Sequence, residues 1–418
     1  MTFFMLPRTY LYVYKNIEYS SSLEDASTAS LTYTPTASLT QSASLTAMSP
    51  SLTDYLYKIK ERITAKEKQW DTYKKYTNPY EYIHTNVPLK KKSVSKHKPI
   101  SRSFFKMIEI VHTFRLYFRE PIRTFHLAEG PGGFIEAFAF LRKNHKDKYI
   151  GMTLLDTEND PNIPAWKKSD AFLKSHSNVH LENGKDGTGN LLSFENFEYV
   201  IAKYAAANEK MDFVTADGGF DFSMDFNQQE CMIARLLFAQ MAFALCLNKH
   251  RGHFVLKIFD CFMPHTVDIL YILASFYEKV FIMKPNTSRY ANSERYIVCV
   301  GFLYDNHTGF YPYLARCFKS MCEKPEEPVG RFLNSPILHY FVKKVEEYNA
   351  IFGQKQIQNI TYTLSLMESK GKTDKIENLI QTNIQKSMDW CVRFGIPHYT
   401  LNTPTNIFLG GDRSGEVE

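Results

Sequence analysis

Cysteine chemistry is sparse in this sequence. Its seven cysteines stand at 231, 246, 261, 299, 317, 322 and 391, an odd number with no Cys-x-x-Cys pair. Zinc-ribbon and small disulfide-scaffold readings fail on that spacing, and free thiols fit a reducing compartment, cytosol or nucleus. Long apolar runs are lacking too. The greasiest stretch, Leu236–Leu247, is interrupted by Gln240 and falls short of the roughly 20 residues that span a bilayer. Thr2–Leu6 is apolar but meets Pro7 and Arg8 at once, so the hydrophobic region of a secretory signal is missing. A strong charge of either sign is absent: 50 basic residues against 44 acids leave +6 over 418 residues. That permits a polyanionic partner without requiring one. What is present is an ordinary globular balance, 44% hydrophobic and 22% charged, which excludes a wholly disordered chain. At roughly 150 residues per domain, two to three domains are expected.

The chain falls into five stretches. Residues 1–19 are rich in aromatics (Phe3, Phe4, Tyr10, Tyr12, Tyr14, Tyr19), which fits a strand or a docking segment. Residues 20–53 are mostly Ser, Thr, Ala and Leu, with Ala-Ser-Leu-Thr at 29–32, 37–40 and 43–46. Such a composition buries too little to offset the entropy of ordering, so a disordered linker is expected. Residues 54–98 read as a helix over 54–76, with Leu56, Ile59, Ile63 and Trp70 near one face, then a turn at Asn78-Pro79-Tyr80-Glu81 and a basic segment. From Tyr82 to Ile108 there is no acid, while Lys90, Lys91, Lys92, Lys96, Lys98, Arg102 and Lys106 are all present. We read this as a phosphate-backbone track rather than a solvated loop.

Residues 99–306 alternate strand and helix signals. Strands are expected at 124–128, 149–155, 178–181, 211–217, 253–259, 280–283 and 296–303, with helices over 133–144, 227–247 and 267–277. This pattern predicts an α/β sandwich, a seven-stranded, mostly parallel sheet with helices on both faces. Residues 307–418 lose the alternation. Helical spacing over 337–348 and 376–392 predicts a helical C-terminal extension that frays from Gly410.

Four motifs carry chemistry. In His126-Leu127-Ala128-Glu129-Gly130-Pro131-Gly132-Gly133-Phe134 a strand runs into a glycine turn and a helix. Open α/β sheets bind cofactors at such strand ends, and the glycine spacing departs from the dinucleotide fingerprint. Thr215-Ala216-Asp217-Gly218-Gly219-Phe220 delivers one carboxylate at the end of a buried strand, where a charge is costly unless paired. In Gly252–Phe259 the single charge, Lys257, interrupts an apolar run. Ser288–Tyr296 is a polar turn that sets Glu294 before a strand. A solvated turn, a capping residue or a snorkelling lysine would explain any one of these alone.

Together they resemble the FtsJ/RrmJ-type S-adenosylmethionine-dependent ribose 2′-O-methyltransferases, and among these the eukaryotic and large-DNA-virus enzymes specific for capped mRNA. The resemblance spans residues 78–303. Its motifs are Asn78–Glu81, Gly130–Phe134, Gly151-Met152-Thr153-Leu154, Ala216–Phe220, Gly252-His253-Phe254 with Lys257, and Lys284-Pro285 through Ser288-Arg289 to Asn292–Tyr296. It departs from the family's pattern at His126-Leu127 and at Glu129. The resemblance implies a Rossmann-like methyltransferase sandwich and a Lys-Asp-Lys-Glu tetrad made by Lys106, Asp217, Lys257 and Glu294. Lys257 would be the general base, lowered by burial and by the like charge of Lys106, because a lysine must be neutral to accept a proton. S-adenosylmethionine would lie along His126, Leu127, Ala128, Glu129, Gly130, Pro131 and Gly132, its adenine near Asp186 and Gly187. Asn227, Gln228, Gln229 and Asn292 would contact RNA. No His/Cys cluster offers a metal site.

The implied partner is the capped mRNA 5′ end, with other capping or transcription components. The implied reaction is methylation of the first transcribed nucleotide, cap 0 to cap 1. Three other readings stay open at this point: methylation of the second cap nucleotide, methylation of rRNA or tRNA, and a catalytically silent RNA-binding scaffold.

Overall fold

The protein is described by a computed structural model over residues 2–21, 47–156, 160, 163–205, 209–219 and 227–401. Most of the expected linker (22–46), Phe220 of the second motif and the tail from Gly410 lie outside the described residues. In chain order the elements are β1 (Thr2–Met5), β2 (Ile17–Ser20), α1 (Pro50–Thr64), α2 (Glu67–Tyr76), α3 (Ser103–Phe114), β3 (Arg123–Leu127) and α4 (Gly133–Arg142). Then come β4 (Lys148–Met152), α5 (Asp170–Ser175), β5 (Val179–Leu181), α6 (Phe194–Tyr204), β6 (Met211–Ala216), α7 (Gln229–Leu247), β7 (Asn248–Ile258) and α8 (Pro264–Phe276). The rest are β8 (Tyr277–Lys284), β9 (Arg295–Phe302), α9 (Tyr311–Glu323), β10 (Arg331–Leu333), α10 (His339–Glu368) and α11 (Thr373–Arg393).

The chain divides into two units that differ from the stretches read in the sequence. The larger comprises residues 1–65 and 99–360, the smaller 66–98 and 361–418. The helix expected over 54–76 is two helices. α1 starts earlier, at Pro50, and the chain turns at Ala65–Lys66. Its apolar face (Leu56, Ile59, Ile63) belongs to the larger unit, whereas Trp70 belongs to the smaller. The expected C-terminal extension is divided as well. Leu314, Cys317, Phe318 and Met321 of α9 join the main core, and β10 pairs antiparallel with β2.

The large sheet has the order β1-β8-β9-β7-β6-β3-β4-β5. All seven expected strands are in it, and β1 makes an eighth. The run β7-β6-β3-β4-β5 is parallel, β9 lies antiparallel between β7 and β8, and β1 closes on β8 with Phe3 opposite Met283. The architecture is the Rossmann-like sandwich expected from the alternation. β3 and β6 are buried along almost their whole length because helices cover both faces, which is why they read as apolar runs. α7 is long and apolar enough to cross a membrane by composition, yet 83% of that stretch is buried inside the protein. It is the core helix of the larger unit.

In the smaller unit the Asn78–Glu81 motif is a self-contained turn. Asn78 Nδ2 donates to Glu81 Oε2 (2.8 Å) and Thr85 Oγ1 to Glu81 Oε1 (2.8 Å). Val94 N–H donates to the Tyr82 carbonyl (2.8 Å), and Tyr399 N–H to the Val94 carbonyl (2.9 Å). α11 sends Asn383 Nδ2 to the Tyr76 carbonyl (2.8 Å).

Candidate active site

Strand register brings three of the four tetrad residues to one end of the sheet, and a helix adds the fourth. Ala216 lies opposite Leu256 in the parallel β6/β7 pair, so Asp217 and Lys257 stand side by side at the carboxyl ends. Lys257 is opposite Tyr296 in the antiparallel β7/β9 pair, which places Glu294 just beyond it. α3 supplies Lys106 from outside the sheet.

The four side chains form two adjoining ion pairs. Lys106 Nζ is 2.7 Å from Glu294 Oε2, and Lys257 Nζ is 3.4 Å from Asp217 Oδ1. Lys257 Nζ also donates to the Asp217 carbonyl (2.6 Å), and Tyr296 Oη donates to Asp217 Oδ1 (3.0 Å). Thus Asp217, at the end of β6, is fixed by a tyrosine of β9 that reaches it across β7, and the amine is aimed by two oxygens of one residue. A Cβ on Gly219 would stand 3.2 Å from Lys257 Nζ, so this glycine leaves room beside the amine. Glu294 Oε1 is buried and has no hydrogen-bond partner among the described residues. Such an atom is an acceptor awaiting a donor.

Burial would raise the Glu294 carboxyl, but the Lys106 and Lys257 ammonium groups outweigh it and bring it down to about 2. A carboxyl lowered from 4.5 stabilises the fold above that pH and loses the contribution as pH falls toward 2. The stability gap between the protein and Glu294→Gln therefore shrinks on going from pH 7 to below about 3, as read by urea unfolding. A gap that stays constant across that range would contradict the pairing.

Two residues outside the tetrad hold it in place. Lys284, at the end of β8, donates to the Asn292 carbonyl (2.7 Å), Asn292 Oδ1 (2.8 Å) and the Glu294 carbonyl (2.9 Å). Burial, seconded by Arg295 and Lys106, pushes its amine down to about 7. Glu109, one turn after Lys106 on α3, accepts from Asn286 N–H (2.8 Å) and Thr287 N–H (3.2 Å). So α3 and the 285–294 turn are locked together at two levels. The signals were in the sequence: Lys284 closes an apolar stretch much as Lys257 interrupts one, and Glu109 is spaced i+3 from Lys106.

The glycine turn uses its first residues internally. His126 is fully buried, with Nε2 2.6 Å from Thr124 Oγ1 and Nδ1 2.7 Å from Thr215 Oγ1. Glu129 Oε1 accepts from the Phe134 and Ile135 N–H groups (2.5 and 2.9 Å), capping α4, and its Oε2 meets His126 and Thr215 (both 2.9 Å). The buried Leu127 likewise has only its backbone to offer a ligand. The side chains of His126 and Glu129 therefore shape the turn from within. Gly130 is required by packing, since a Cβ there would lie 2.3 Å from the Ala165 carbonyl oxygen. Gly132 adopts φ +104°, reached without strain only by glycine. Ala128 and Pro131 complete the turn, and the Pro131 carbonyl accepts from Ser169 Oγ.

Asp186 and Gly187 sit in the exposed loop after β5. Asp186 Oδ1 accepts from Thr188 N–H (2.8 Å), Thr188 Oγ1 (2.7 Å) and Asn196 Nδ2 (2.9 Å). Burial works against the charged form, but these donors hold the carboxyl below its ordinary value. Among the RNA-contact candidates, Gln228 and Asn292 are exposed and Asn227 is half-buried. Gln229 is buried, where its Oε1 accepts from Ser293 Oγ (3.2 Å), so it braces the 285–294 turn from inside. The basic run is also divided: Lys106 is in the tetrad, and Arg102 reaches the Thr287 carbonyl (3.4 Å). The lysines of 90–98 belong to the smaller unit.

Behind the site lies a buried ionic cluster. Lys60 Nζ is 2.8 Å from Asp260 Oδ2, and Arg295 Nη2 is 3.6 Å from Asp260 Oδ1. Arg295 Nη1 donates to Asn349 Oδ1 (2.9 Å). Asp260 follows the strand of Lys257, and Arg295 follows Glu294 directly.

Residues 99–302 match the family model of FtsJ-like methyltransferases. The chain is 31% identical over 262 residues to "Cap-specific mRNA (nucleoside-2'-O-)-methyltransferase 1" of Trypanosoma brucei brucei, covering 60% of this chain and 66% of that protein. It is 26% identical over 348 residues to "Cap-specific mRNA (nucleoside-2'-O-)-methyltransferase 2" of Pongo abelii, covering 80% of this chain and 43% of the relative. With "Cap-specific mRNA (nucleoside-2'-O-)-methyltransferase 1" of Mus musculus it shares 37% over 175 residues, 41% of this chain and 20% of the relative. The chain thus spans between a fifth and two thirds of the length of these three relatives.

Proposed function

We propose that this chain, whose residues 99–302 are an FtsJ-like methyltransferase domain, methylates the ribose 2′-oxygen of the first transcribed nucleotide of capped mRNA with S-adenosylmethionine as donor. The observation that carries the reading is the double ion pair Lys106–Glu294 and Lys257–Asp217 at the carboxyl ends of β6 and β7. The names of the relatives supply the substrate class.

When bound, S-adenosylmethionine supplies a methyl group on a positively charged sulfur. The residues present fit it by their placement: a glycine turn directly after β3, a second glycine pair, Gly218-Gly219, directly after β6, and an exposed polar loop at Asp186-Gly187, where a Cβ on Gly187 would meet nothing within 4 Å. The backbone of Ala128–Gly132 and the loop at Asp186 would hold it. The chain's remaining task is to orient a ribose hydroxyl and take its proton. Lys257 Nζ is the acceptor of that proton, and Asp217 aims the amine. Glu294 Oε1, buried without a donor among the described residues, accepts from the ribose, and Lys106 keeps Glu294 ionised. Holding the hydroxyl in line with the methyl carbon supplies much of the rate. Asn227, Gln228 and Asn292 face the RNA chain.

The test is transfer of labelled methyl from S-adenosylmethionine to short RNAs. Label is expected on N7-methylated capped RNA and is absent when the first nucleotide already carries a 2′-O-methyl group. Label persisting on that pre-methylated RNA would move the site to the second nucleotide. Label on uncapped RNA alone would replace the cap reading with a structural-RNA one.

A further inference from the structure

We propose that the smaller unit carries a docking surface for the phosphate backbone of single-stranded RNA, formed by the lysine-bearing turn 87–98 and the ring of Tyr399. The proposal rests on reading the chain as an RNA methyltransferase and adds a second place where the RNA is held.

The first argument is charge. Residues 66–98 hold nine lysines and three acids, an excess of six that equals the excess of the whole chain. All other residues together sum to zero. Two of those acids are engaged: Glu81 is buried in its own turn, and Asp71 pairs with Lys74. No acid follows Glu81 until Glu109. Like charges crowded on one short segment repel, and a polyanion relieves the repulsion while releasing its own counterions.

The second argument is that this segment is built rather than loose. Lys90 N–H donates to the Val87 carbonyl and Val87 N–H to the Lys92 carbonyl, each at 3.0 Å, closing a tight turn. Lys96 N–H donates to the Pro397 carbonyl (2.8 Å), and Ser95 bridges His398. Val87, Val94, Tyr82, Ile83 and Ile396 point inward and are buried, whereas Lys91, Lys92, Lys96 and Lys98 are exposed. The lysines are therefore held on a fixed backbone, and docking orders only side chains. The third argument is the aromatic. Lys92 Nζ lies 4.5 Å and Lys96 Nζ 5.4 Å from the centre of the half-buried Tyr399 ring. An aromatic face among ammonium groups is the pairing that single strands use, base on ring and phosphate on cation.

The experiment measures binding of the full chain to 3′-labelled capped RNAs of about 4 and about 20 nucleotides by fluorescence anisotropy across a salt series. Changing Lys91, Lys92, Lys96 and Lys98 together to Ala should reduce the slope of log affinity against log salt by roughly 3, at about 0.7 per phosphate contact. Affinity for the longer RNA should fall at least tenfold at physiological salt, with a smaller loss on the shorter one. Tyr399→Ala should weaken binding with little change in slope, because stacking releases no counterions. Lys91→Ala and Lys98→Ala, each costing about 0.7 in slope, decide the matter if the fourfold variant does not fold. An unchanged slope in these variants overturns the surface. Polyglutamate competing as well as polyuridine would also overturn it, in favour of an acidic protein partner. Wild-type methyl transfer, run in parallel, separates the two ideas. Transfer with an unaltered slope removes only the docking surface. A steep lysine-dependent slope with no transfer removes only the enzymatic reading.

Discussion

Lys257→Met lowers the rate of methyl transfer by roughly 10²- to 10⁴-fold, the range carried by a positioned general base, while cofactor binding persists. The substitution keeps an unbranched apolar stem of similar length and removes the amine. Lys257→Arg is the sharper partner experiment. A guanidinium retains the positive charge and can still pair with Asp217, but it does not deprotonate in a protein. If Lys257 takes the proton, both variants fail alike in single-turnover transfer. If its role were only to place positive charge near the reacting oxygen, the arginine variant would keep most of its rate, and the assignment of the base would fall. Tyr296→Phe belongs to the same series: losing the 3.0 Å hydrogen bond to Asp217 Oδ1 loosens the amine's orientation without touching the amine itself.

The second large effect is structural. Asp260→Ala destabilises the protein by about 3–5 kcal/mol, the cost of leaving a buried charge without its partner. Lys60 and Asp260 are 5% and 4% exposed at 2.8 Å, and Arg295 is 1% exposed. Burial would raise the Asp260 carboxyl, yet Lys60 and Arg295 hold it below its ordinary value, so it is ionised between two cations. Removing it strands both. Urea unfolding reads the loss directly, and a change below about 0.5 kcal/mol, the size of an ordinary surface substitution, would contradict the account. Lys60→Met/Asp260→Leu should recover part of the loss, since an apolar pair of similar volume leaves one buried charge fewer to satisfy. Because Arg295 is joined to Glu294, activity should fall in Asp260→Ala even under conditions where the protein remains folded.

Much of this was legible in the sequence, for identifiable reasons. The central strands announce themselves because burial on both faces demands nearly uninterrupted apolar residues. Lys257 and Asp217 are conspicuous because a charge within or at the end of such a run is expensive, whereas Lys106 and Glu294 join them in the sequence only through the family resemblance. Other parts were hidden by distance along the chain. Thr2–Met5 is a strand only because β8 offers an edge to it. The inward roles of His126 and Glu129 depend on Thr215, which reaches them from another strand. Gln229 looks like a polar residue free to meet RNA until Ser293 is placed against it. α6 carries a helical signal of its own, with Phe197, Val200 and Ile201 buried at i, i+3 and i+4. The division into two units could not be read, since the smaller one joins residues 66–98 to a segment beginning at 361.

The pairing of β1 with β8 also sets a timetable. Phe3 and Phe4 are made long before Ile282 and Met283, opposite which they settle and which follow almost the whole methyltransferase domain. At translation rates of about 5–20 residues per second, the segment waits on the order of 15–55 seconds for its partner. During that interval an aromatic-rich strand with open hydrogen-bonding edges is exposed to whatever is nearby, which is a setting for chaperone capture or for pairing between nascent chains. The sheet is therefore completed last at its outermost edge, by a segment synthesised before every other strand of that sheet.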